Sequence, residues 1–507
     1  MKETNLKGQL LISLVVLLSI ILLFVSFYFR PELGDEGILA MDGWRVYRGE
    51  IPQKDFFEFI PPLSAYIQST FFKIFSVSVF SLRLLGLVYA ILLILIVYVF
   101  YKKFIKNDVV ISLSLSFLVP FGFCSWLFGS HHWLVAILQI SGGILLLHSL
   151  NTKSKLYSVL SGILFGFSVF TLQDQGGYLI IGLIIGSFFI AIEERKIFII
   201  SSVSSILTFF FLCLPLAYAT SVRQLFWDWV YFPLFHYKGA AGNKFTIENF
   251  INQILSSWSL EAIRVSPFYA ISASLSETFI ALTPFLSVLS MVYIIKKRVI
   301  DRTKVVLVTI FSLSFLFGAF HRLAITNLSW GFAALLPFYV LIENELKNGK
   351  KGQKVLVALS VAIFLTSNLV FAISRINHSL KVGDSYLVQS AAGKYRFFNP
   401  YTSESLSNFI KSIDNVPQNE PMFCIGYVPL INFLTNHPNP TPFNFILPGG
   451  YYSKEQIKLW IYSVESKKVE YGISEKKILN EEQGRMLLPN YEAVYSNDLF
   501  ILWKRKE

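Results

Sequence analysis

A polytopic α-helical membrane protein of about eleven spans, ending in a small α/β domain outside the membrane, is the fold class that three observations predict. Of 507 residues, 54% are hydrophobic, 16% aromatic and only 15% charged, a composition outside the range of soluble domains. Apolar stretches of the roughly 20 residues that a bilayer core requires recur near 8–28, 82–101, 108–124, 132–149, 156–172, 177–193, 197–219, 271–295, 304–320, 324–342 and 354–373. Beyond them the texture changes to short mixed apolar and polar runs.

The first apolar stretch reads as a retained helix. It is longer than the apolar region of a signal peptide, and no small-residue cleavage site precedes "RPELGDE". Lys and Arg are retained in cytoplasmic loops, and here they recur at every second connection: Lys2 and Lys7, then Lys102, Lys103 and Lys106, then Lys153 and Lys155, then Arg195 and Lys196. Lys296, Lys297, Arg298, Arg302 and Lys304 follow, then Lys347, Lys350, Lys351 and Lys354. A cytoplasmic N-terminus is therefore expected, in the plasma (inner) membrane. The net charge of +12 is accounted for by topology rather than by nucleic-acid binding.

An odd number of spans puts the C-terminus outside, dividing the chain into a membrane domain, 1–374, and an extracytoplasmic domain, 375–507. In the latter, "PMFCIGYV", "EYGISE" and "LFILWKR" read as strands, and "SESLSNFIKSI" and "YSKEQIKLWIYSV" as helices. Cys124, Cys213 and Cys424 are odd in number and scattered. They form neither a disulfide framework nor a metal-ligand spacing, which leaves buried small hydrophobes.

The same topology turns the first external loop, 29–81, outward. Its stretch "LGDEGILAMDGWRVYRGEIPQKDFFEFIPPLSAY" carries Asp35, Glu36, Asp55 and Glu58. Apolar residues at Leu63, Tyr66, Ile67, Phe71, Ile74 and Phe75 predict a helix behind Pro61 and Pro62, lying flat on the outer leaflet. Glu36 to Tyr47 reads as a second amphipathic helix with Asp35 at its N-cap. Two such helices would bring Asp35 and the Asp55/Glu58 pair to one point at the membrane surface. Asp42 and Glu50 read as ordinary solvated carboxylates, and Trp227, Trp229, Tyr231, Phe232 and Tyr237 as an interfacial aromatic belt.

Asp35-Glu36 after the first span, then "GEIPQKDFFEFIPPL", then "FSLRL" at the second span together resemble the GT-C glycosyltransferases. The similarity is to the branch of the protein O-mannosyltransferases and lipid A aminoarabinose transferases. The resemblance implies a multispanning fold with two juxtamembrane helices in the first loop, and catalysis outside the membrane with a sugar carried on a polyprenyl phosphate. The family's catalytic carboxylate falls on Asp35 and its second acidic position on Glu58, with Glu36 and Asp55 as supporting neighbours. The aminoarabinose branch has Lys directly after that second position, where this chain has Phe59 and Ile60 before Pro61, which argues against aminoarabinose as the sugar. The connection "FHRLAITNLSWGFAALLP" resembles an Arg-containing stretch of many members and assigns Arg322 to phosphate binding. The family sometimes binds a divalent metal through its acidic loop residues, here Asp35 and Glu58.

The chemistry asks for the same groups. Glycosyl transfer from a lipid phosphate, the donor being a polyprenyl-phosphate sugar, requires a base for the acceptor proton and positive charge or a metal at the departing phosphate. Asp35 is the candidate base. Arg322, His321, Lys238 and His236 are candidates for the phosphate, with Arg83 and Arg45 on the same side, and "QDQGG" adds Asp174 at the outer end of a span. The expected function is a membrane glycosyltransferase of the cell envelope acting on a lipid, glycan or protein acceptor. A glycan polymerase with its Arg and His in the loop "YFPLFHYKGAAGNKF" is the alternative, or a transporter of polyprenyl-linked glycans. A transporter would place ionisable residues within its spans and show internal repeats, and this sequence does neither.

Overall fold

The computed structural model describes residues 2–29, 31–123, 126–237, 247–265, 267–320, 331–382, 386–397, 399–447 and 451–507. Among the described residues six helices are long and apolar enough to cross a membrane: Leu6–Val25, Val79–Tyr101, His131–Thr152, Ile192–Ala219, Arg302–Ala319 and Lys351–Lys381. A seventh candidate is the pair Pro267–Ala281 and Thr283–Lys297, bent by 54°. The stretches near 108–124, 156–172 and 177–193 become shorter helices. Asp108–Phe117 gives way to a π-turn at Leu118–Gly122, and Lys155–Val169 and Gln173–Ser187 have 15 residues each. A run of apolar residues sets a helix's environment but not where its hydrogen bonding breaks.

In chain order the elements that frame the site are α1 (Lys2–Val25), α2 (Asp35–Tyr47), α3 (Leu63–Phe75), α4 (Val79–Tyr101) and α5 (Asp108–Phe117). After them come α6 (His131–Thr152), α7 (Lys155–Val169), α8 (Gln173–Ser187) and α9 (Ile192–Ala219). Apolar helices lack a hydrophobic force driving them together in lipid and associate where small residues let backbones touch. In α7 the GxxxG pair Gly162 and Gly166 faces α9 so closely that an added Cβ would lie 2.3 Å from Ser201 O and 2.7 Å from Ser205 O.

The C-terminal elements are as expected in kind. A four-stranded sheet holds β3 (Met422–Ile425), β4 (Tyr471–Glu475), β5 (Tyr491–Ser496) and β6 (Phe500–Arg505) in the order β3-β4-β6-β5, with β3 and β4 parallel and the rest antiparallel. Helices α10 (Pro400–Ile413) and Lys454–Ser466 coincide with the two helical readings. The hairpin of β1 (Leu387–Ser390) and β2 (Gly393–Arg396) and strand β5 escaped the sequence.

The core of this region does not stop at its own edge. Val388, Tyr395, Phe409, Ile425 and Trp503 share one cluster with Ala40, Met41 and Trp44 of α2, Phe72 of α3, and Val79 and Leu82 of α4. Leu430 N donates to Leu33 O (3.2 Å), Phe57 N to Pro442 O (2.7 Å) and Val79 N to Ala392 O (2.8 Å). The first loop is therefore sandwiched between the spans and the C-terminal sheet. At Gly37 the two backbones come close together, since a Cβ there would lie 2.3 Å from Leu430 N. Gly37→Ala is expected to cost about 1–3 kcal/mol through overpacking, read as a lower melting temperature of the detergent-solubilised protein and earlier tryptic release of the C-terminal region. Unchanged melting and digestion would refute the close contact.

Candidate active site

Helix α2 organises the acidic residues. It begins at Asp35 with Gly34 as N-cap and no side-chain cap, so Asp35 is the first helical residue rather than the cap. That leaves its half-buried carboxylate to accept a hydrogen bond from Tyr427 Oη. Glu36, one residue on, turns about 100° around the axis and is wholly buried. Its Oε2 meets Arg83 Nη2 at 2.8 Å and accepts from Glu32 N at 3.0 Å, while Tyr395 Oη donates to Oε1 at 2.7 Å. Arg83 also donates to Leu127 O (3.0 Å) and lies 4.9 Å from the Tyr395 ring centroid. Burial pushes the Glu36 carboxyl up and Arg83 pulls it back. Arg83, a candidate for phosphate, is committed to Glu36.

Asp42 lies two turns from Asp35, on the same face and roughly 10 Å along the axis. The expectation that it is solvated is overturned: it is 3% exposed, because the C-terminal region covers it. Asn444 Nδ2 donates to its Oδ1 at 2.6 Å, and its other partner is the Glu58 carboxyl. The position of Glu58 is fixed on several sides: its Oε1 accepts from Ile60 N at 3.0 Å and its carbonyl from Gln53 Nε2 at 3.0 Å. Asp55 is not part of this group, since its Oδ2 caps the exposed turn at Ile51 N (2.7 Å). Arg45 joins the network through Nη1 to Asn444 Oδ1 (3.3 Å) and Thr441 O (3.0 Å), and is ion-paired to Glu50 at 2.7 Å.

Two carboxyls this close cannot both ionise. Burial, with smaller opposing hydrogen bonds, pushes Asp42 up to about 7. Burial and the Asp42 carboxylate raise Glu58 well above the usual range. Glu32 rises to about 7, first through burial and then through Asp35.

The π-helical stretch Trp227–Tyr237 closes the other side. Phe232 packs at 4.8 Å from Phe57 and 5.6 Å from Phe59, Tyr237 at 4.7 Å from Phe59, and His236 stacks on Phe232 at 6.0 Å. Buried Trp229 and Phe232 are thus packing residues of the loop, which corrects the reading of a uniform interfacial belt. Gln173, unremarked in the sequence, donates from Nε2 to Phe59 O (2.8 Å) and Trp229 O (3.1 Å), tying α8 to both. Its neighbour Asp174 accepts from Gln175 N (2.6 Å) in the first turn of α8. Asp228 is fully buried, and its carboxyl is pushed up to about 7 by that burial. Lys238, His321 and Arg322 lie outside the described residues, as does Cys124.

Among the described residues no three His, Cys, Asp or Glu side chains gather at one point, and Asp35 and Glu58 answer to different partners.

Two outcomes follow. Arg83→Met, which strands Glu36 in a buried site, is expected to cost about 3–5 kcal/mol in thermal unfolding, and Glu36→Leu/Arg83→Met to recover much of it. A double variant no better than the single one would refute the pairing. Asp42 moves from 3.8 in the unfolded chain to about 7 when folded. Its contribution to stability is therefore full below about pH 4 and is lost as pH rises to about 7, with Glu32 and Asp228 acting in the same sense. Melting temperature should fall from pH 5 to pH 8, and Asp42→Asn should flatten part of that fall.

No protein-family model matches the chain, and no curated protein matches it in sequence. Solved structures do. ArnT from Cupriavidus metallidurans bound to undecaprenyl phosphate has a TM-score of 0.58 at 13% identity, covering 97% of each chain, and its apo state scores 0.58 at 12%. The Archaeoglobus fulgidus oligosaccharyltransferase in complex with Zn and sulfate scores 0.56 at 12%, over 98% of this chain and 73% of that one. At such identities the likeness is one of fold.

Proposed function

We propose, from the premise of this GT-C fold, that the chain is a membrane glycosyltransferase. In this reading it moves a hexosyl or pentosyl unit from a polyprenyl-phosphate donor to an extracytoplasmic acceptor. The observation that carries the reading is the half-buried carboxylate of Asp35 at the first turn of α2, directly after the first span. It coincides with the catalytic position of the family that the first loop resembles. The solved likeness with undecaprenyl phosphate bound supports a donor of that chemistry, and the basic clusters of alternate connections support a cytoplasmic N-terminus.

The reaction is a single displacement. Asp35 takes the proton from the acceptor hydroxyl as its oxygen attacks the anomeric carbon, and the bond from that carbon to the phosphate oxygen breaks with inversion. The electron pair leaves on the polyprenyl phosphate. Tyr427 Oη, hydrogen-bonded to Asp35, holds the base in one rotamer. Glu58, hydrogen-bonded to Asp42, orients the acceptor by donating or accepting a hydrogen bond. The phosphate falls to Arg322, His321 and Lys238, with His236 at the edge of the aromatic wall.

The test is sugar release from radiolabelled polyprenyl-phosphate sugars by membranes holding equal folded amounts of wild type and Asp35→Asn. One donor should be consumed by wild type, with the variant slower by about 10²–10⁴, the range of a lost general base. A variant as active as wild type removes Asp35 from the mechanism. No consumption of any donor with lipid, glycan and protein acceptors supplied rejects the transferase.

A further inference from the structure

The hairpin that seats Tyr395 against Glu36 has a second, unused side. Phe397 N donates to Tyr386 O at 3.0 Å, which makes that couple a hydrogen-bonded pair of the antiparallel ladder. Alternation then makes Val388–Tyr395 bonded, and Leu387–Arg396 and Gln389–Lys394 non-bonded. The N–H and C=O groups of Leu387 and Gln389 therefore point away from β2. They have no backbone partner among the described residues. The far edge of β2 is occupied, because Phe29 bridges Arg396 and Arg396 N donates to Tyr28 O at 2.7 Å.

Leu387 and Gln389 line a groove of about 510 Å³ between β1 and the second half of α10, within the roughly 300–1,000 Å³ of ligand clefts. Ile410, Ile413 and Val416 form its floor, and Lys411, Asp414 and Gln418 stand on its rim. The two rim charges are opposite, no Phe, Tyr or Trp is among its lining residues, and the imidazole of His437 that lines it is buried. Outward main-chain groups recurring every second residue match another extended backbone, and unsatisfied edges of this kind accept added strands.

We propose that this groove binds an extended polypeptide by strand addition to β1, and that the acceptor is accordingly a segment of protein. The acceptor assignment rests on the transferase reading, whereas the binding does not. The groove and the acidic helix lie on opposite sides of one hairpin, with Val388 and Tyr395 paired across it. A chain seated on β1 is thereby held against the element that braces α2.

The test uses the full chain in lipid nanodiscs, with a fluorescein-labelled pool of nine-residue Thr- and Val-rich peptides and, in parallel, labelled linear oligosaccharides. Peptides should bind saturably and slow amide exchange across Leu387–Ser390 by about tenfold or more. Gln389→Pro removes one outward N–H without touching the ladder and should abolish binding, while Gln389→Ala keeps it. Ser407→Trp, which obstructs the groove from α10, should also abolish it if the proline variant melts early. Absence of peptide binding by the wild type, binding by both obstructing variants as tight as by the wild type, or exchange slowed by oligosaccharides alone overturns the proposal. Donor consumption in the Asp35 assay is scored separately, so loss of one reading leaves the other standing.

Discussion

The buried triangle of Glu36, Arg83 and Tyr395 is the constraint on which the rest of the site depends. A carboxylate and a guanidinium exposed by 0% and 1% of their surface are tolerable away from water only if every group around them is aligned. Here the alignment draws on three parts of the chain: Glu36 on α2, Arg83 on α4, and Tyr395 on β2. Moving any of them leaves a charge without a partner. The pair thus fixes where α2 lies and how it is rotated, and the rotation turns Asp35 away from the pair and towards Tyr427.

A second polar chain carries the constraint along α2. Arg45 holds Asn444, Asn444 holds Asp42, and Asp42 is hydrogen-bonded to Glu58. Gln53 and Gln173 then hold the backbone carbonyls of Glu58 and Phe59. Neutralising one carboxyl of the Asp42–Glu58 pair keeps this buried spot from carrying two full negative charges side by side.

How much of this was legible follows from distance along the chain. The long apolar helices, α2, α3 and half of the C-terminal strands are local patterns, which a single sequence shows. The assignment of Asp35 and Glu58 to the site rests on a local motif resembling a known family. Asp42 was misjudged because what buries it, Asn444, is 402 residues away, and Tyr427 and Tyr395 reach α2 from 392 and 359 residues away. The β1–β2 hairpin was missed because its strands have four residues each, too few to show a period. Trp229 and Phe232 were taken for interfacial anchors because an aromatic at the end of a span looks the same whether it faces lipid or packs on a loop.

These contacts also decide what the C-terminal region is for. A domain with a separate core could be removed or exchanged without disturbing the spans, but this one shares its core with α2, α3 and α4. It supplies the partners of three of the four carboxylates on α2 and in the loop that matter: Tyr427 for Asp35, Tyr395 for Glu36 and Asn444 for Asp42. The first loop has no spans on its upper side to hold it, so those partners have to come from elsewhere in the chain. A likeness of fold at 12–13% identity is consistent with such an arrangement. What must persist is a helix starting where the first span ends, held from both sides, and many different side chains can do the holding.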